Sequence, residues 1–146
     1  MTNLILRSGD LFTSDAYALM HGVNCSSVMG AGIAPLFKAK FEGMFDAYVK
    51  ACKSGELVPG GVFIWSVGAV TVYNAASQNR PGADASLEWL ESSVRFALHD
   101  ADMWELEKIA LPRIGCGIGG LDWADVEPLL RKLAGEFRTD LEVWTL

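Results

Sequence analysis

Two glycine-rich stretches constrain this chain more than anything else in it. The first, His21 to Ala34, reads H-G-V-N-C-S-S-V-M-G-A-G-I-A. Its spacing predicts the end of a buried strand, a loop holding Gly30 and Gly32, and the start of a helix carrying Ile33, Leu36 and Phe37. The second starts from the apolar run Ile109, Ala110, Leu111 and passes through Pro112, Arg113 and Ile114 into Gly115, Gly117, Gly119 and Gly120, with a helix opening near Asp122. Glycine lets the backbone approach a ligand with no Cβ in the way, and the first N–H groups of a helix have no intrahelical partners. Each junction therefore suits an anion, phosphate above all. Two of them closing from opposite sides would clamp one diphosphate.

The rest of the chain supplies alternating strands and helices. Asn3 to Arg7 reads as a short strand ended by the turn Ser8-Gly9-Asp10. Asp10 can satisfy turn amides or accept the exocyclic amine of a base, and the pattern leaves both open. Tyr17 to Val23, Y-A-L-M-H-G-V, is apolar almost throughout, as for a strand covered on both faces. His21 inside it is either a core residue with satisfied ring nitrogens or an acid–base or substrate contact. Ile33, Leu36, Phe37, Phe41, Met44, Phe45, Tyr48, Val49 and Cys52 recur at helical spacing, with Pro35 tolerated only in the first turn and Gly43 placed to split or bend the helix.

Val62 to Val67 and Ala69 to Ala75 read as a strand pair around Gly68, and the second leads into the amide-rich loop Asn74 to Gly82. Leu87, Leu90, Val94, Leu98 and Ala101 mark a helix, with Asp84 as the expected cap. Lys108 to Ile114 is the strand feeding the second glycine loop. Trp123 to Phe137 is the last helix, capped by Asp122, and Leu141 to Leu146 a closing strand. This alternation implies an α/β fold, a three-layer α/β/α sandwich with a mixed, largely parallel central sheet, and the ligand over the carboxyl ends of its strands.

At 146 residues, residues 1–146 are expected to form one domain. No run approaches the roughly 18–20 apolar residues of a membrane span, and the N-terminus has no charged-then-apolar leader. A cytoplasmic monomer is expected. Three cysteines without close pairs, Cys25, Cys52 and Cys116, indicate reduced thiols rather than a disulfide framework or zinc site, so neither metal nor cofactor is expected. No His–Asp pair can be assigned to make Cys25 or Cys116 a nucleophile. The net charge is −6 and the basic residues are scattered singly, which argues against nucleic acid as a partner. An anionic small ligand would be held by backbone amides instead.

Gly30-Ala31-Gly32 is followed by Pro35 where a dinucleotide fingerprint needs its third glycine, and no G-x-x-x-x-G-K-S/T occurs. In contrast, G-D-L-F at Gly9–Phe12, M-G-A-G-I-A at Met29–Ala34, P-R-I-G-C-G at Pro112–Gly117 and the terminal V-W-T-L resemble the macrodomains that bind ADP-ribose. The likeness spans nearly the whole chain and is strongest to the branch containing the terminal ADP-ribose protein glycohydrolase.

The resemblance implies that Asp10, with Leu11 beside it, binds the adenine amine and that Trp144 packs by the base. It places Asn24 toward the distal ribose, the first phosphate loop at Gly30, Ala31, Gly32, Ile33 and Ala34, and the second at Gly115, Cys116, Gly117, Ile118, Gly119 and Gly120. The branch's catalytic lysine is missing, with Gln78 or Asn79 near its place, and Gly119 stands where it has an aspartate. The partner implied is ADP-ribose or an ADP-ribosylated protein. The function implied is hydrolysis of an ester-linked ADP-ribose, such as an ADP-ribosylated carboxylate or O-acetyl-ADP-ribose, with Asn24 positioning water. Two alternatives stay open: an ADP-ribose 1''-phosphate phosphatase using His21, and a non-catalytic ADP-ribose reader.

Overall fold

The structure, a computed structural model, describes residues 3–146. Met1 and Thr2, which the expected single-domain span includes, lie outside the described residues. The strands are β1 (Leu4–Ser8), β2 (Ala18–Val23), β3 (Val62–Val67), β4 (Val70–Ala76), β5 (Lys108–Leu111) and β6 (Asp140–Thr145). The helices are α1 (Ala34–Lys40), α2 (Met44–Ser54), α3 (Leu87–Met103) and α4 (Trp123–Ala134), and a single 3-10 turn spans Leu11–Thr13.

The six strands form one sheet in the order β1-β6-β5-β2-β4-β3. Every neighbouring pair is parallel except β3 and β4, which form a hairpin with Val67 opposite Val70 and Gly68 at φ +58° in the turn. Side chains alternate between two covered faces, which is why the central strands are apolar at nearly every position. Met20, Tyr73, Ile109 and Leu111 pack with Leu90, Val94 and Leu98 of α3 and Leu130 and Leu133 of α4. Their neighbours Leu19, Val72 and Ala110 face the other way, onto Phe37 of α1 and Met44 and Tyr48 of α2. The three-layer α/β/α architecture is thus the one the sequence implies.

Of the two outcomes open for Gly43, splitting or bending, the structure shows the split: at φ +85°, with Phe41 leaving helical geometry, it separates α1 from α2. Two other local expectations change. Ser86, not Asp84, caps α3, its hydroxyl accepting from Trp89 N at 3.1 Å. Asp84 is taken up instead by the loop before it, where Oδ2 accepts from the Asn79 and Arg80 amides, each at 2.8 Å. The strand expected to reach Ile114 stops at Leu111, because Pro112 supplies no N–H to continue the ladder. Asp122 does cap α4, through Ala124 N at 3.0 Å.

Candidate functional site

Strands β5, β2 and β4 are neighbours in the sheet, so the loops at their carboxyl ends come together. They enclose a cleft of about 280 Å³ walled by Gly30–Ala34 on one side and Pro112–Gly119 on the other, with Gly22, Asn24, Ser77 and Gln78 also lining it. The loops meet at their tips: a Cβ on Gly32 would lie 3.6 Å from Ile118 Cδ1. Among the described residues, the amides of Gly30, Ala31, Gly32 and Ile33 donate to no protein acceptor, and neither do those of Gly117, Ile118 and Gly119. Unpaired backbone amides on two loops that line one cleft are the kind of group that can bind an anion.

The first loop is fastened from beneath. Asn24 Nδ2 donates to Val28 O at 2.9 Å, while its Oδ1 accepts from Ser26 N at 2.9 Å and from the buried Tyr48 hydroxyl at 2.8 Å. Met29 is packed into the core below. Asn24 therefore both lines the cleft and shapes its wall. The second loop is tied back on itself by Cys116 N to Arg113 O at 3.1 Å, Gly120 N to Gly117 O at 3.3 Å and Leu121 N to Gly115 O at 3.0 Å.

The third loop, after β4, settles which amide side chain reaches the cleft. Gln78 lines it and donates from Nε2 to Arg80 O at 2.6 Å and Gly82 O at 3.0 Å. Asn79 is not among the residues lining the cleft, and its backbone carbonyl accepts from Cys25 N at 3.0 Å and Ser26 Oγ at 2.7 Å. Gly119 is packed so tightly that a Cβ there would sit 2.7 Å from Gly115 O and 3.0 Å from Ala85 Cβ. The aspartate of the resembled branch has no room in this loop.

His21 is not brought to the cleft. It is fully buried, its ring lies on Phe37 with centroids 3.9 Å apart, and its Nε2 is 2.6 Å from Asn74 Oδ1. Burial pulls its pKa down to about 4, so the ring is neutral and shut away from solvent. An apolar strand covered on both faces leaves no route to a substrate. Gly120 also falls outside the lining. Cys116 lines the cleft as a thiol, its pKa raised by burial and its Sγ 3.7 Å from Ile114 O, and burial pushes Cys25 up to about 11. Neither is poised as a nucleophile.

Asp10, Leu11 and Trp144 gather in a second cluster at the ends of β1 and β6. Asp10 Oδ1 accepts from Phe12 N at 3.0 Å, capping the 3-10 turn; Leu11 is buried below. Phe12 packs on Phe37 with centroids 5.0 Å apart, tying this cluster to α1 and so to the first glycine loop. The Trp144 ring lies against Gly9 and donates from Nε1 to Glu142 Oε1 at 2.8 Å. Glu142 is almost fully buried and also takes Ser14 Oγ at 2.5 Å and Lys108 Nζ at 3.1 Å, contacts that hold its carboxyl below the usual range against the cost of burial.

Of the cleft residues that sequence reasoning missed, three bear on its shape and chemistry. Gly22 is needed because a Cβ would lie 2.8 Å from Ser77 Oγ; a glycine inside an apolar strand is the signal for such a close approach. Ser77 carries a buried hydroxyl with no hydrogen-bond partner among the described residues, for which the sequence holds no signal. Arg113 is the one Asp, Glu, Lys, Arg or His among the lining residues, and its Cζ lies 4.9 Å from the Trp123 ring centre. Among the described residues, the cleft lining holds no carboxylate, lysine or histidine.

The Macro domain family description matches residues 20–130, which takes in both glycine loops. The chain belongs to the macro domain family. Within that family it is 37% identical over 127 residues to the DNA ADP-ribosyl glycohydrolase of Mycobacterium tuberculosis, a match covering 84% of this chain and 36% of that protein. It is 29% identical over 139 residues to the human ADP-ribose glycohydrolase OARD1, covering 94% of this chain and 88% of that protein. The solved macrodomain of Mycobacterium tuberculosis DarG superposes with a TM-score of 0.89 at 32% identity, covering 98% of this chain and 97% of the other. The chain thus spans little more than a third of the mycobacterial glycohydrolase it matches. No helix among the described residues is long and apolar enough to cross a membrane.

Proposed function

We propose that this macrodomain binds ADP-ribose across the two glycine loops and hydrolyses the bond between its distal ribose and an acceptor. The observation that carries the reading is the shared cleft, lined on both sides by glycine-loop segments, Gly30–Ile33 and Gly117–Gly119, whose amides have no protein acceptor among the described residues. Asp10, Leu11 and Trp144 would take the adenine end. Asn24 and Ser77 are the side chains nearest in kind to what a ribose hydroxyl or an attacking water needs.

The chemistry follows from what the cleft contains. Water attacks the anomeric carbon, the bond to the acceptor breaks, the electron pair leaves with the acceptor, and the proton of the water passes to solvent. With no lysine, carboxylate or histidine in the lining, the protein's part is positioning and electrostatic stabilisation by fixed amides. Asn24, with one Nδ2–H uncommitted, and the substrate's own diphosphate would hold the water. Such a site is slow, and it favours acceptors that leave as stable anions without protonation.

The mycobacterial relative's name makes ADP-ribosylated DNA the acceptor to test first, a step beyond the ester-linked acceptors inferred from sequence. The low charge of the chain argues against binding to a nucleic acid backbone in general, not against an ADP-ribosyl group attached to one. A cytoplasmic monomer remains part of the proposal. The test is release of ADP-ribose from an ADP-ribosylated oligonucleotide, an ADP-ribosylated glutamate peptide and ADP-ribose 1''-phosphate, side by side. Release from the first supports the reading; binding of ADP-ribose with no release from any would make the domain a reader. The phosphatase alternative lacks a histidine at the cleft and is tested by the third substrate.

A further inference from the structure

We propose that Glu142 is a positioning residue for the adenine end of the site, one of its carboxylate oxygens holding the Trp144 indole and the turn headed by Asp10 in fixed relation to each other. The inference rests on the adenine placement given above. Glu142 lies inside the sheet between β1 and β5, opposite Ile5 and Ala110, and is 1% exposed. A carboxylate there is costly to desolvate, and an apolar side chain of similar size would hold a sheet at least as well. Two cations offset the charge on one side, with Oε2 3.1 Å from Lys108 Nζ and 3.4 Å from Arg7 Nε. They neutralise the group without accounting for its presence.

The other oxygen supplies the reason. Oε1 accepts from Trp144 Nε1 at 2.8 Å and from Ser14 Oγ at 2.5 Å. Trp144 is two residues on from Glu142 along β6, so both side chains emerge on one face of the sheet, the face covered by α1 and α2. Ser14 closes the 3-10 turn that Asp10 opens, its amide donating to Leu11 O at 3.1 Å. A single atom thus fixes the ring against the turn. The indole is bounded on its opposite edge as well, since a Cβ on Gly9 would lie 3.6 Å from Trp144 Cζ3, and Gly9 N donates to Thr145 O at 2.7 Å. With both edges held, the face of the ring is what remains for a base to stack on. Asp10 gives Oδ1 to Phe12 N, and its Oδ2 has no donor among the described residues, which leaves it for an exocyclic amine. One rigid base must meet both groups at once, so their relative placement sets the preference for adenine, and Glu142 Oε1 sets that placement.

The experiment measures Kd by calorimetry for ADP-ribose and for its inosine analogue, together with the unfolding midpoint of each protein. Glu142→Gln keeps the side-chain volume but sets an amide N–H2 group against either the Trp144 N–H or the two cations. It is expected to raise the Kd for ADP-ribose about tenfold and that for the inosine analogue about threefold, which cuts the adenine preference about threefold. In a Trp144→Phe background, where Glu142 has no indole N–H to hold, the same change should raise the ADP-ribose Kd by no more than about threefold. Saturating ADP-ribose should quench the share of tryptophan emission that Trp144→Phe removes, and quench it less in Glu142→Gln. A purely structural role predicts a lower midpoint with equal losses for both ligands and in both backgrounds, and that result overturns the proposal. Ser14→Ala leaves the charge paired and should by itself cut the adenine preference about threefold. An unchanged preference in Ser14→Ala overturns the proposal even where Glu142→Gln does not fold. A wild-type protein that binds neither ligand, or both equally, removes the adenine reading and this inference together; failure of the variants alone leaves that reading standing.

Discussion

His21 lies flat on Phe37, ring centroids 3.9 Å apart and planes 7° from parallel, so a histidine of the central sheet supports the helix that follows the first glycine loop. Burial holds its pKa near 4 against 6.5 when exposed. Between those values the unfolded chain binds the extra proton, so stability falls as pH drops from about 6.5 towards 4, by about 1.4 kcal/mol per pH unit, and levels off below. His21→Gln should flatten that segment. Urea melts at half-unit steps check it; parallel curves for the two proteins would refute it.

Gly32→Glu should abolish ADP-ribose binding with the fold intact. Gly32 sits at φ +67° on an exposed loop tip facing Ile118, so the new side chain enters the space between the loops. The strain of that backbone costs about 1 kcal/mol, too little to unfold a domain of this size. Calorimetry on a variant with near-native circular dichroism tests this, and normal affinity would contradict it.

Restoring the resembled branch's aspartate should harm rather than help. Gly119→Asp must push apart Gly115 O and Ala85, and is expected to destabilise by about 1–3 kcal/mol without raising turnover. A denaturation midpoint equal to wild type would show that the loop yields more easily than its contacts indicate.

Asp10→Asn retains the oxygen that caps Phe12 N while replacing an acceptor with a donor. Preference for ADP-ribose over its inosine analogue should fall by about 1–3 kcal/mol, the cost of a mispaired polar group. Paired titrations decide; an unchanged ratio would remove Asp10 from the adenine end.

Ser77→Ala separates folding from function at the cleft floor. Removing a buried hydroxyl that has no partner among the described residues should raise stability by roughly 1 kcal/mol, and turnover should drop if the hydroxyl serves the ligand. Lower stability would mean that the hydroxyl is bonded in solution.

Much of this was legible in advance because it depends on backbone. The two glycine loops, their strands and the α4 cap at Asp122 declare themselves by spacing and by residues with one physical use. Side-chain destinations were harder. For His21 the sequence favours a core residue without excluding a site role, and the structure decides it by burying the ring against Phe37 and Asn74. Asp84 and Ser86 are both good caps, and only the tertiary position of Asn79 and Arg80 assigns Asp84 to the loop. Gln78 and Asn79 are adjacent amides whose alternation depends on a loop conformation that local sequence does not specify. Ser77 gave no sign at all, since a small polar residue at a strand end is the commonest thing to find there.

Main-chain bonds link the three walls of the cleft in series: Asn79 O to Cys25 N joins the third loop to the first, and Ala85 N to Gly119 O joins it to the second. Hydrogen exchange in these segments should therefore proceed as one cooperative unit. A guest gripped by two walls will slow the third as well, so protection spreading into residues 77–85 on adding ADP-ribose would report occupancy from a distance.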